Sequence, residues 1–319
     1  SLPNNYINDI TEDTNGNLII GTPEGICFWN KHNNTFINHK HNPENLNTLS
    51  DNEILRVFFH NETLWALTDY SLDKYLGNGN FERNYFKTDP NTERYPYNNL
   101  AIIADKDENI WIATKDGVNI FYVKQKQFFK IHDQGNNSLS NVRVRSLFSD
   151  EENNIWIGTF NGLNKYTRTI GLINSFYYQN NADFLKENTV NHIQKDKNGV
   201  FWIGTKNGLK TFDGKKITDF DSDLLNGIND QITCILFDFS DNIWCGTIGS
   251  GLYKFIMHKP LFQKFDEFPP KTDNSIFSVY VDENERIWCG SGGLYIIDKQ
   301  SNQILHLSLI HISEPTRPY

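Results

Sequence analysis

The chain has 319 residues and a formal net charge of −9, with 38% hydrophobic, 14% aromatic and 22% charged residues. The negative charge argues against a nucleic-acid backbone as a partner, because phosphate binding needs clustered Lys and Arg. No apolar run approaches the roughly 20 residues of a membrane-spanning helix, and no signal peptide is recognisable. Ser1 stands almost inside the first sequence repeat, so we expect the natural protein to begin further upstream.

A pattern of two short strands joined by a tight turn recurs seven times along the chain. Its clearest copy is residues 154–159, NIWIGT, followed by Gly162 and Tyr166. The residue equivalent to Gly158, called the anchor below, recurs every 42 to 46 residues. The seven anchors are Gly21, Leu67, Ala113, Gly158, Gly204, Gly246 and Gly290. A period of this length, with about four short strands in each copy, is typical of a β-propeller.

Two further positions recur with the anchor. A Trp stands two residues before six anchors, and Ile19 replaces it in the first copy. An Asp stands eight residues before six anchors; the second copy lacks it and is one residue shorter. The Trp series is Trp65, Trp111, Trp156, Trp202, Trp244 and Trp288, and the Asp series is Asp13, Asp105, Asp150, Asp196, Asp238 and Asp282.

The packing of neighbouring sheets explains the Trp series, and turn chemistry explains the Asp series. A large flat side chain fills the wedge between sheets, and we interpret the anchor Gly as leaving room for it. An Asp in a turn accepts hydrogen bonds from nearby backbone amides. The alternatives are a row of ligand-stacking rings and a calcium ladder, which would need several carboxylates in one loop.

Seven copies of this unit predict an all-β fold, a seven-bladed β-propeller of four-stranded antiparallel blades over residues 1–306. The predicted strands of the fourth copy are residues 142–149, 155–159, 163–167 and 173–178. Gly162 ends the turn between its second and third strands, where a positive φ is expected. The blades lie near the seven anchors, and longer polar loops connect one copy to the next.

The four cysteines do not form a disulfide framework. Cys245 and Cys289 directly precede anchor glycines, Cys27 and Cys234 stand in apolar strand segments, and no pair has CxxC spacing. In the predicted hairpin, Cys234 and Cys245 differ by one position in register and therefore point to opposite faces. We expect buried, reduced thiols rather than disulfides or metal ligands.

The last residues depart from the repeat pattern. Residues 307–317 read, codon for codon, as the in-frame translation of a common transposase-type sequencing adapter. We therefore interpret residues 307–319 as a non-native tail and leave them out of the fold prediction. The natural sequence is expected to continue beyond His306.

The repeat resembles the two-component regulator propeller repeat. The motif WIGT is intact at 156–159 and 202–205 and nearly intact at 111–114 and 244–247, and the loop motif NSLS or NTLS stands at 137–140 and 47–50. The resemblance covers residues 5–306, with departures at Ile19, Leu67 and Ser71. In that family such propellers form the extracytoplasmic part of hybrid two-component sensor histidine kinases of glycan-degrading gut bacteria.

The resemblance implies a receptor with two seven-bladed propellers, a β-sandwich, one membrane helix, and kinase, receiver and DNA-binding domains. This chain would be one propeller in the periplasmic part of that inner-membrane protein. Its expected partners are an oligosaccharide ligand, the neighbouring propeller and sandwich domains, and a second receptor copy in a homodimer. No nucleic-acid partner is expected for this fragment, and no cofactor is expected.

We find no catalytic motif: GxSxG, HExxH and a phosphate-binding loop are all missing from the sequence. A metal-dependent propeller lyase would need His and Glu residues in the row of first-strand positions four before the turn Asp. That row is Asp9, Arg56, Ala101, Ser146, His192, Cys234 and Ser278. One His and no Glu favour a binding module, with a protein-interaction scaffold and, less favoured, a metal-dependent lyase as alternatives. No metal site is predicted.

Arg, Tyr and His residues near the predicted loop face are the candidate ligand contacts. In a propeller, the loops before each first strand and the turns between second and third strands share one face. Arg and Tyr together suit a sugar or an acidic sugar, through charged hydrogen bonds and ring stacking. The predicted ligand-binding residues are Arg56, Arg94, Tyr97, Arg143, Arg145 and His192, each with an ordinary surface role as its alternative.

Overall fold

The chain folds into seven antiparallel sheets. The computed structural model describes residues 2–4, 6–30, 33–86, 101–132, 137–178, 189–220, 230–257, 261–265, 274–282, 285–291, 294–297 and 304–307. These residues form β-strands, turns and loops, and no helix occurs among them. Strands that follow each other in the chain pair into seven four-stranded sheets. The sheets are the blades of a seven-bladed β-propeller, which confirms the predicted fold class.

The chain divides into two compact units, and unit 1 is Ser1–Ile131. It contains blades 1 to 3. Blade 1 is β1 (Asp9–Glu12), β2 (Leu18–Thr22), β3 (Gly25–Asn30) and β4 (Thr35–His39). Blade 2 is β5 (Arg56–His60), β6 (Thr63–Leu67), β7 (Ser71–Gly77) and β8 (Asn80–Tyr85). Blade 3 is β9 (Ile102–Ala104), β10 (Ile110–Thr114), β11 (Gly117–Tyr122) and β12 (Gln127–Ile131).

Unit 2 is His132–Tyr319 and contains blades 4 to 7. Blade 4 is β13 (Val144–Ser149), β14 (Ile155–Thr159), β15 (Gly162–Thr167) and β16 (Leu172–Phe176). Blade 5 is β17 (Val190–Lys195), β18 (Phe201–Thr205), β19 (Gly208–Phe212) and β20 (Ile217–Asp219). Blade 6 is β21 (Ile232–Phe237), β22 (Ile243–Thr247), β23 (Leu252–Ile256) and β24 (Leu261–Phe265). Blade 7 is β25 (Ser278–Val281), β26 (Ile287–Gly290), β27 (Leu294–Ile297) and β28 (Ile304–Leu307).

The core of each unit lies between neighbouring blades. Trp156 of blade 4, for example, packs with Ile193, Phe201 and Phe212 of blade 5. The second strand of blade 4, β14, is buried along its whole length. Burying one Trp contributes roughly 4–6 kcal/mol at about 25 cal/mol per Å². The Trp residues therefore pack between blades, as the sequence indicates.

The Asp series holds both the first turn and the Trp of each regular blade. Asp150 Oδ1 accepts hydrogen bonds from the backbone amides of Glu152 and Asn154, at 3.0 and 2.8 Å. Its Oδ2 accepts the indole Nε1–H of Trp156 at 2.9 Å. The same indole bond recurs in blades 3, 5, 6 and 7, at 2.8 to 3.1 Å. The turn role was predictable from sequence, whereas the bond to Trp was not.

The anchor glycines make room for the next blade, not for the Trp as the sequence suggested. A Cβ at Gly158 would overlap Ser146 Oγ and lie 2.6 Å from Cγ1 of Val190 in blade 5. A Cβ at Gly204 would lie 2.7 Å from Cγ2 of Ile232 in blade 6. These distances are far below van der Waals contact. The first strand of the following blade thus packs directly on the anchor.

All four cysteines are buried and free. Cys234 is paired with Gly246 and Ile235 with Cys245, so the predicted difference of one position in register is confirmed. Burial raises the pKa of the Cys234 thiol to about 11 and raises the pKa of the Cys245 and Cys289 thiols as well. Thiols of this kind stay protonated and unreactive at neutral pH.

A polar residue two positions into the third strand binds the connection that arrives from the preceding blade. In blade 4, Asn164 Oδ1 accepts the Ser140 amide at 2.9 Å, and Leu139 beside that serine is buried. In blade 2, Asp73 Oδ2 accepts the Ser50 amide at 2.7 Å. The equivalent residue of blade 5 is Lys210. We call Asp73, Asn164 and Lys210 the connection-binding residues.

Candidate functional site

The register of the sheets confirms six of the seven residues in the predicted first-strand row. In unit 2 each residue of the row lies directly opposite its anchor: Ser146 opposite Gly158, His192 opposite Gly204, Cys234 opposite Gly246 and Ser278 opposite Gly290. In unit 1, Asp9 lies opposite Gly21 and Arg56 opposite Leu67. First strands of successive blades lie side by side within each unit.

Arg56 is held by an acidic neighbour. Its guanidinium lies 3.6 Å from Asp9 Oδ1 and donates to the Asn8 carbonyl at 3.3 Å. Asp9 Oδ2 also accepts the Val57 amide at 3.0 Å. Burial raises the pKa of Asp9, and the positive charge of Arg56 opposes that rise. Arg56 therefore joins the first strands of blades 1 and 2, and a ligand contact by Arg56 stays a prediction.

Arg143 and Arg145 meet at the ring of Phe160. The guanidinium carbon of Arg145 lies 4.5 Å from the ring centroid, and that of Arg143 lies 5.5 Å from it. Phe160 stands in the turn between β14 and β15, and its amide donates to the Arg143 carbonyl at 3.0 Å. The structure thus brings together two of the predicted residues and adds Phe160, which the sequence reasoning missed.

Arg145 is the extra residue of a β-bulge. The register of β13 against β14 shifts between Val144 and Ser146, and Arg145 is the residue inserted at that shift. Blades 5 and 6 have the same shift at Asn191 and Thr233. A bulge turns its extra side chain out of the regular alternation of a strand. Arg145 therefore occupies the bulged position of blade 4, which is equivalent to Asn191 and Thr233 in blades 5 and 6.

In the neighbouring blades the equivalent side chain is a link to the next blade. Asn191 Nδ2 donates to the Ile232 carbonyl at 2.8 Å, and Thr233 Oγ1 donates to the Ile276 carbonyl. In unit 1, Asn8 Nδ2 donates to the Ile54 carbonyl at 2.8 Å. Blade 4 places a cationic side chain at this position instead. That substitution makes the start of blade 4 chemically different from the starts of blades 5 and 6.

His192 contributes a neutral imidazole. Burial lowers its pKa to about 4, so the ring is uncharged at neutral pH. Its Nδ1 and the Oγ of Ser146 on the adjacent first strand have no hydrogen-bond partner within the part of the chain that the structure describes. Buried polar atoms of this kind are normally satisfied by water or by a bound molecule. The pair therefore adds polar groups that a ligand could use.

Two predicted site residues, Arg94 and Tyr97, lie outside the described residues, so their ligand contacts stay predictions. Among the described residues, no group of three His, Cys, Asp or Glu side chains is placed to hold a metal ion. None of them belongs to a helix that could cross a lipid bilayer. The chemistry assembled by the described residues is cation, aromatic ring and neutral polar group, which suits binding.

The sequence model of the two-component regulator propeller matches residues 1–24, 138–161 and 185–207. The second matched segment begins at Ser138, within the NSLS motif, and includes the Asp150 turn and the anchor of blade 4. None of the curated proteins compared with the chain matches it.

Several solved structures share the fold. The extracellular domain of a B. thetaiotaomicron protein described as a hybrid two-component system is 21% identical, with a TM-score of 0.70 over 92% of this chain and 40% of that one. A second extracellular domain from B. thetaiotaomicron, described as belonging to a one-component system, is 20% identical, with a TM-score of 0.55 over 95% of this chain and 43% of that one. The chain thus spans about two fifths of both domains.

Virginiamycin B lyase from Staphylococcus aureus also matches. It is 13% identical, with a TM-score of 0.64 over 88% of this chain and 90% of that chain. At these identities the similarity to solved structures shows a shared fold only.

Proposed function

Because this chain carries two-component regulator propeller repeats, we propose that it is an extracytoplasmic, ligand-sensing propeller of a hybrid two-component sensor histidine kinase. The fold shared with the extracellular domains of a hybrid two-component system and of a one-component system supports this proposal. In the proposed receptor the ligand is an oligosaccharide, and the response is expression of genes for its use. The neighbouring extracytoplasmic domains and a second receptor copy are the proposed partners.

The paired arginines at Phe160 are the observation that supports a ligand site within this chain. Each guanidinium can form two parallel hydrogen bonds to a carboxylate or a sulfate, which gives direction as well as charge. Packing against one ring restricts both side chains, so less rotamer entropy is lost when an anion binds. We therefore propose that the oligosaccharide carries carboxylate or sulfate groups.

A neutral group on the first strand of the next blade supplies the hydrogen bonds for the rest of the sugar in this proposal. His192 is uncharged at neutral pH and can accept or donate one hydrogen bond at Nδ1, depending on its tautomer. A hydroxyl-rich ligand needs such neutral partners, because charged groups alone would bind any anion of similar size. The proposal thus assigns charge recognition to Arg143 and Arg145 and hydroxyl recognition to His192.

Calorimetric titration of the chain tests this proposal. The probes are a galacturonate tetrasaccharide, a chondroitin sulfate tetrasaccharide and, as the neutral comparison, a galactose tetrasaccharide. Replacing Arg143 and Arg145 together by Ala should weaken binding of an acidic probe more than tenfold, since a hydrogen bond to a charged group contributes about 1.5–3 kcal/mol. Lys206→Ala is the control, because Lys206 occupies the blade 5 position that Phe160 occupies in blade 4.

The melting temperature should stay within a few degrees of wild type in the double variant. An unchanged affinity of the double variant for an acidic probe would show that the arginines are not the site. Failure of both acidic probes to bind the wild-type chain would overturn the proposed ligand class.

A lyase is the second candidate, because the S. aureus enzyme matches nearly its whole length to this chain. Such chemistry would need acid–base or metal-binding side chains close together. The described part of the first-strand row offers one His and no Glu, and His192 is neutral. Turnover of virginiamycin B by this chain, dependent on a divalent metal, would establish the lyase; no turnover is expected.

A further inference from the structure

Lys210 is the least exposed charged residue in the described part of unit 2. Its side chain is 3% exposed, and its Nζ donates to Asp219 Oδ1 at 2.5 Å. The same Nζ lies 3.7 Å from the ring centroid of Tyr178, whose hydroxyl donates to Asp219 Oδ2. Burying an ammonium group is costly unless it is paired and hydrogen-bonded. Three groups therefore depend on one another, and they belong to two different blades.

Tyr178 comes from the end of blade 4, whereas Lys210 and Asp219 belong to blade 5. Lys210 on β19 lies directly opposite Asp219 on β20. Tyr178 follows β16 and pairs in a parallel bridge with Ile217 at the start of β20. The backbone bridge and the side-chain cluster together fix the chain that leaves blade 4 onto the outer strands of blade 5.

The residue before Tyr178 reaches the candidate site. The ring of Tyr177 lies against the turn between β14 and β15, since a Cβ at Gly162 would be 3.0 Å from Tyr177 Cδ1. That turn carries Phe160, on which Arg143 and Arg145 pack. The other end of the same connection also touches the turn, because Thr189 Oγ1 donates to the Phe160 carbonyl at 3.0 Å. A displaced Tyr178 would therefore release the support of Phe160.

We propose that Lys210, Asp219 and Tyr178 form a positioning cluster through which blade 5 sets the geometry of the Arg143–Phe160–Arg145 site on blade 4. Lys210 occupies the position at which Asp73 and Asn164 bind an incoming connection in blades 2 and 4. In blade 5 this position carries the ammonium group of Lys210, which contacts the connection at Tyr178, where the chain leaves blade 4. None of the three residues touches the ligand in this proposal. The effect of the cluster on ligand binding rests on the proposed function, whereas its support of the Phe160 turn does not.

Hydrogen exchange of the Phe160 turn tests the cluster without a ligand. The Phe160 amide donates to the Arg143 carbonyl, so its exchange reports directly on the site. Lys210→Met keeps the buried stem and removes the charge, and Tyr178→Phe removes only the hydroxyl. Both should raise exchange in residues 158–163 at least about fivefold, the lower end of a typical coupling between two sites. Asp219→Asn is unsuitable, because it would leave the Lys210 charge buried and unpaired.

Three comparisons separate positioning from general loss of structure. Lys210→Arg keeps the charge and should keep the protection of residues 158–163 at the wild-type level. Lys216→Met makes the same change at an exposed position of the same hairpin and should have no effect. In every variant, β22 of blade 6 should exchange as in wild type. Unchanged exchange at residues 158–163 in Lys210→Met, or an equal rise at β22, would overturn the proposal.

Binding of the galacturonate tetrasaccharide gives the second measurement. Lys210→Met should weaken it at least about fivefold in the wild-type background and much less in Arg143→Ala/Arg145→Ala, because changes acting through one site are not additive. If the arginine variant binds normally while Lys210→Met still alters exchange at Phe160, the proposed function fails and the positioning cluster stands.

Discussion

Blades 2 and 4 hold the same loop with different chemistry. In both, a buried leucine and the serine after it, Leu49-Ser50 or Leu139-Ser140, lie on the connection-binding residue of the third strand. In blade 4 that residue is Asn164, which lies opposite Ser175 on the fourth strand and accepts its hydroxyl at 2.7 Å. In blade 2 it is Asp73, which lies opposite Arg83.

The two solutions differ in where the charge goes. Asn164 serves as acceptor and donor at once, because its Nδ2 also donates to Ser140 Oγ at 2.9 Å. Asp73 can only accept, so the hydroxyls of Ser50 and Ser71 turn toward each other and toward the carboxylate. Arg83 binds the loop itself, with its Nε donating to the Thr48 carbonyl at 2.8 Å. The loop shape is thus fixed by the fold, and the sequence only has to satisfy its polar atoms.

Exchanging the chemistry of the two blades should be most costly in blade 4. Asn164→Asp would bury a carboxylate opposite Ser175 rather than an arginine, and an uncompensated buried charge costs about 3–5 kcal/mol. The free energy of unfolding in urea should fall by that amount at pH 7 and recover toward pH 3, where the new carboxyl is protonated. Asn174→Asp, at an exposed position on the paired strand β16, is the control. Equal losses in the two variants would contradict the buried-charge explanation.

The next largest loss of stability is expected in the first turn, where blade 4 has Asp150 and blade 2 has no equivalent Asp. Asp150→Ala leaves the Trp156 indole and two backbone amides without their acceptor, which should cost about 2–3 kcal/mol. Burial raises the pKa of Asp150, but hydrogen bonds from Asn154 and Trp156 outweigh it and hold the pKa below its ordinary value.

The stability that Asp150 contributes is therefore present above its ordinary pKa and lost as the pH falls through the lowered one. Denaturant unfolding at several acidic pH values should show the wild-type and Asp150→Ala curves converging at the lowest pH. Glu151→Ala, at the exposed neighbour, should change stability far less than Asp150→Ala does, because solvent screens its charge. A constant difference between wild type and Asp150→Ala down to pH 2 would argue against the turn carboxylate.

Replacing the charge in blade 2 should have the opposite sign. Burial raises the pKa of Asp73, and Ser71, Ser50 and Arg83 offset that rise only in part. Stability therefore falls as the pH rises from the ordinary pKa through the raised one, because the folded chain resists ionisation. Asp73→Asn should stabilise the chain by about 1 kcal/mol at pH 7 and by nothing below the ordinary pKa. Thermal unfolding at both pH values measures this, and a destabilised variant at pH 7 would show that the carboxylate is needed.

The smallest effect concerns a feature that both blades share. Lys165 lies 5.2 Å from the ring of Trp156, and Lys74 lies 5.6 Å from the ring of Trp65, each opposite it on the third strand. Lys165→Met and Lys74→Met should each lower the free energy of unfolding by about 0.5 kcal/mol. A loss in one blade only would mean that the Asp150 carboxylate, which blade 2 lacks, is what holds the lysine.

The fold could be predicted because the same strand and turn pattern recurs seven times in the sequence, once for each blade. Even blade 2, with no turn Asp and Leu67 at its anchor, keeps its strands where the spacing places them. The predicted role of the anchor glycine was wrong, however. The sequence shows which residues adjoin the glycine along the strand, but it does not show which blade packs on it. Val190 and Ile232, the residues that need the space, stand in the following copies.

The candidate site was only half predictable. Arg143 and Arg145 stand two positions apart at the start of a first strand, so their proximity follows from the sequence. Phe160 was missed because it occupies a turn position that carries Lys206 in blade 5 and Ile248 in blade 6, so no motif marks it. The bulge at Arg145 was invisible, since the register depends on the pairing strand. The comparison of the three turn positions was the one signal that could have singled out Phe160.

The links from Asn8, Asn191 and Thr233 to the next blade all end on a main-chain carbonyl. A carbonyl is present whatever side chain the next blade carries, so the link sets no condition on the neighbour's sequence. A change of side chain at the accepting residue therefore leaves this hydrogen bond in place. In blade 4 the same position carries Arg145, whose guanidinium packs on Phe160 in the candidate site. A position that links blades elsewhere in the chain thus contributes to ligand recognition in the proposed function.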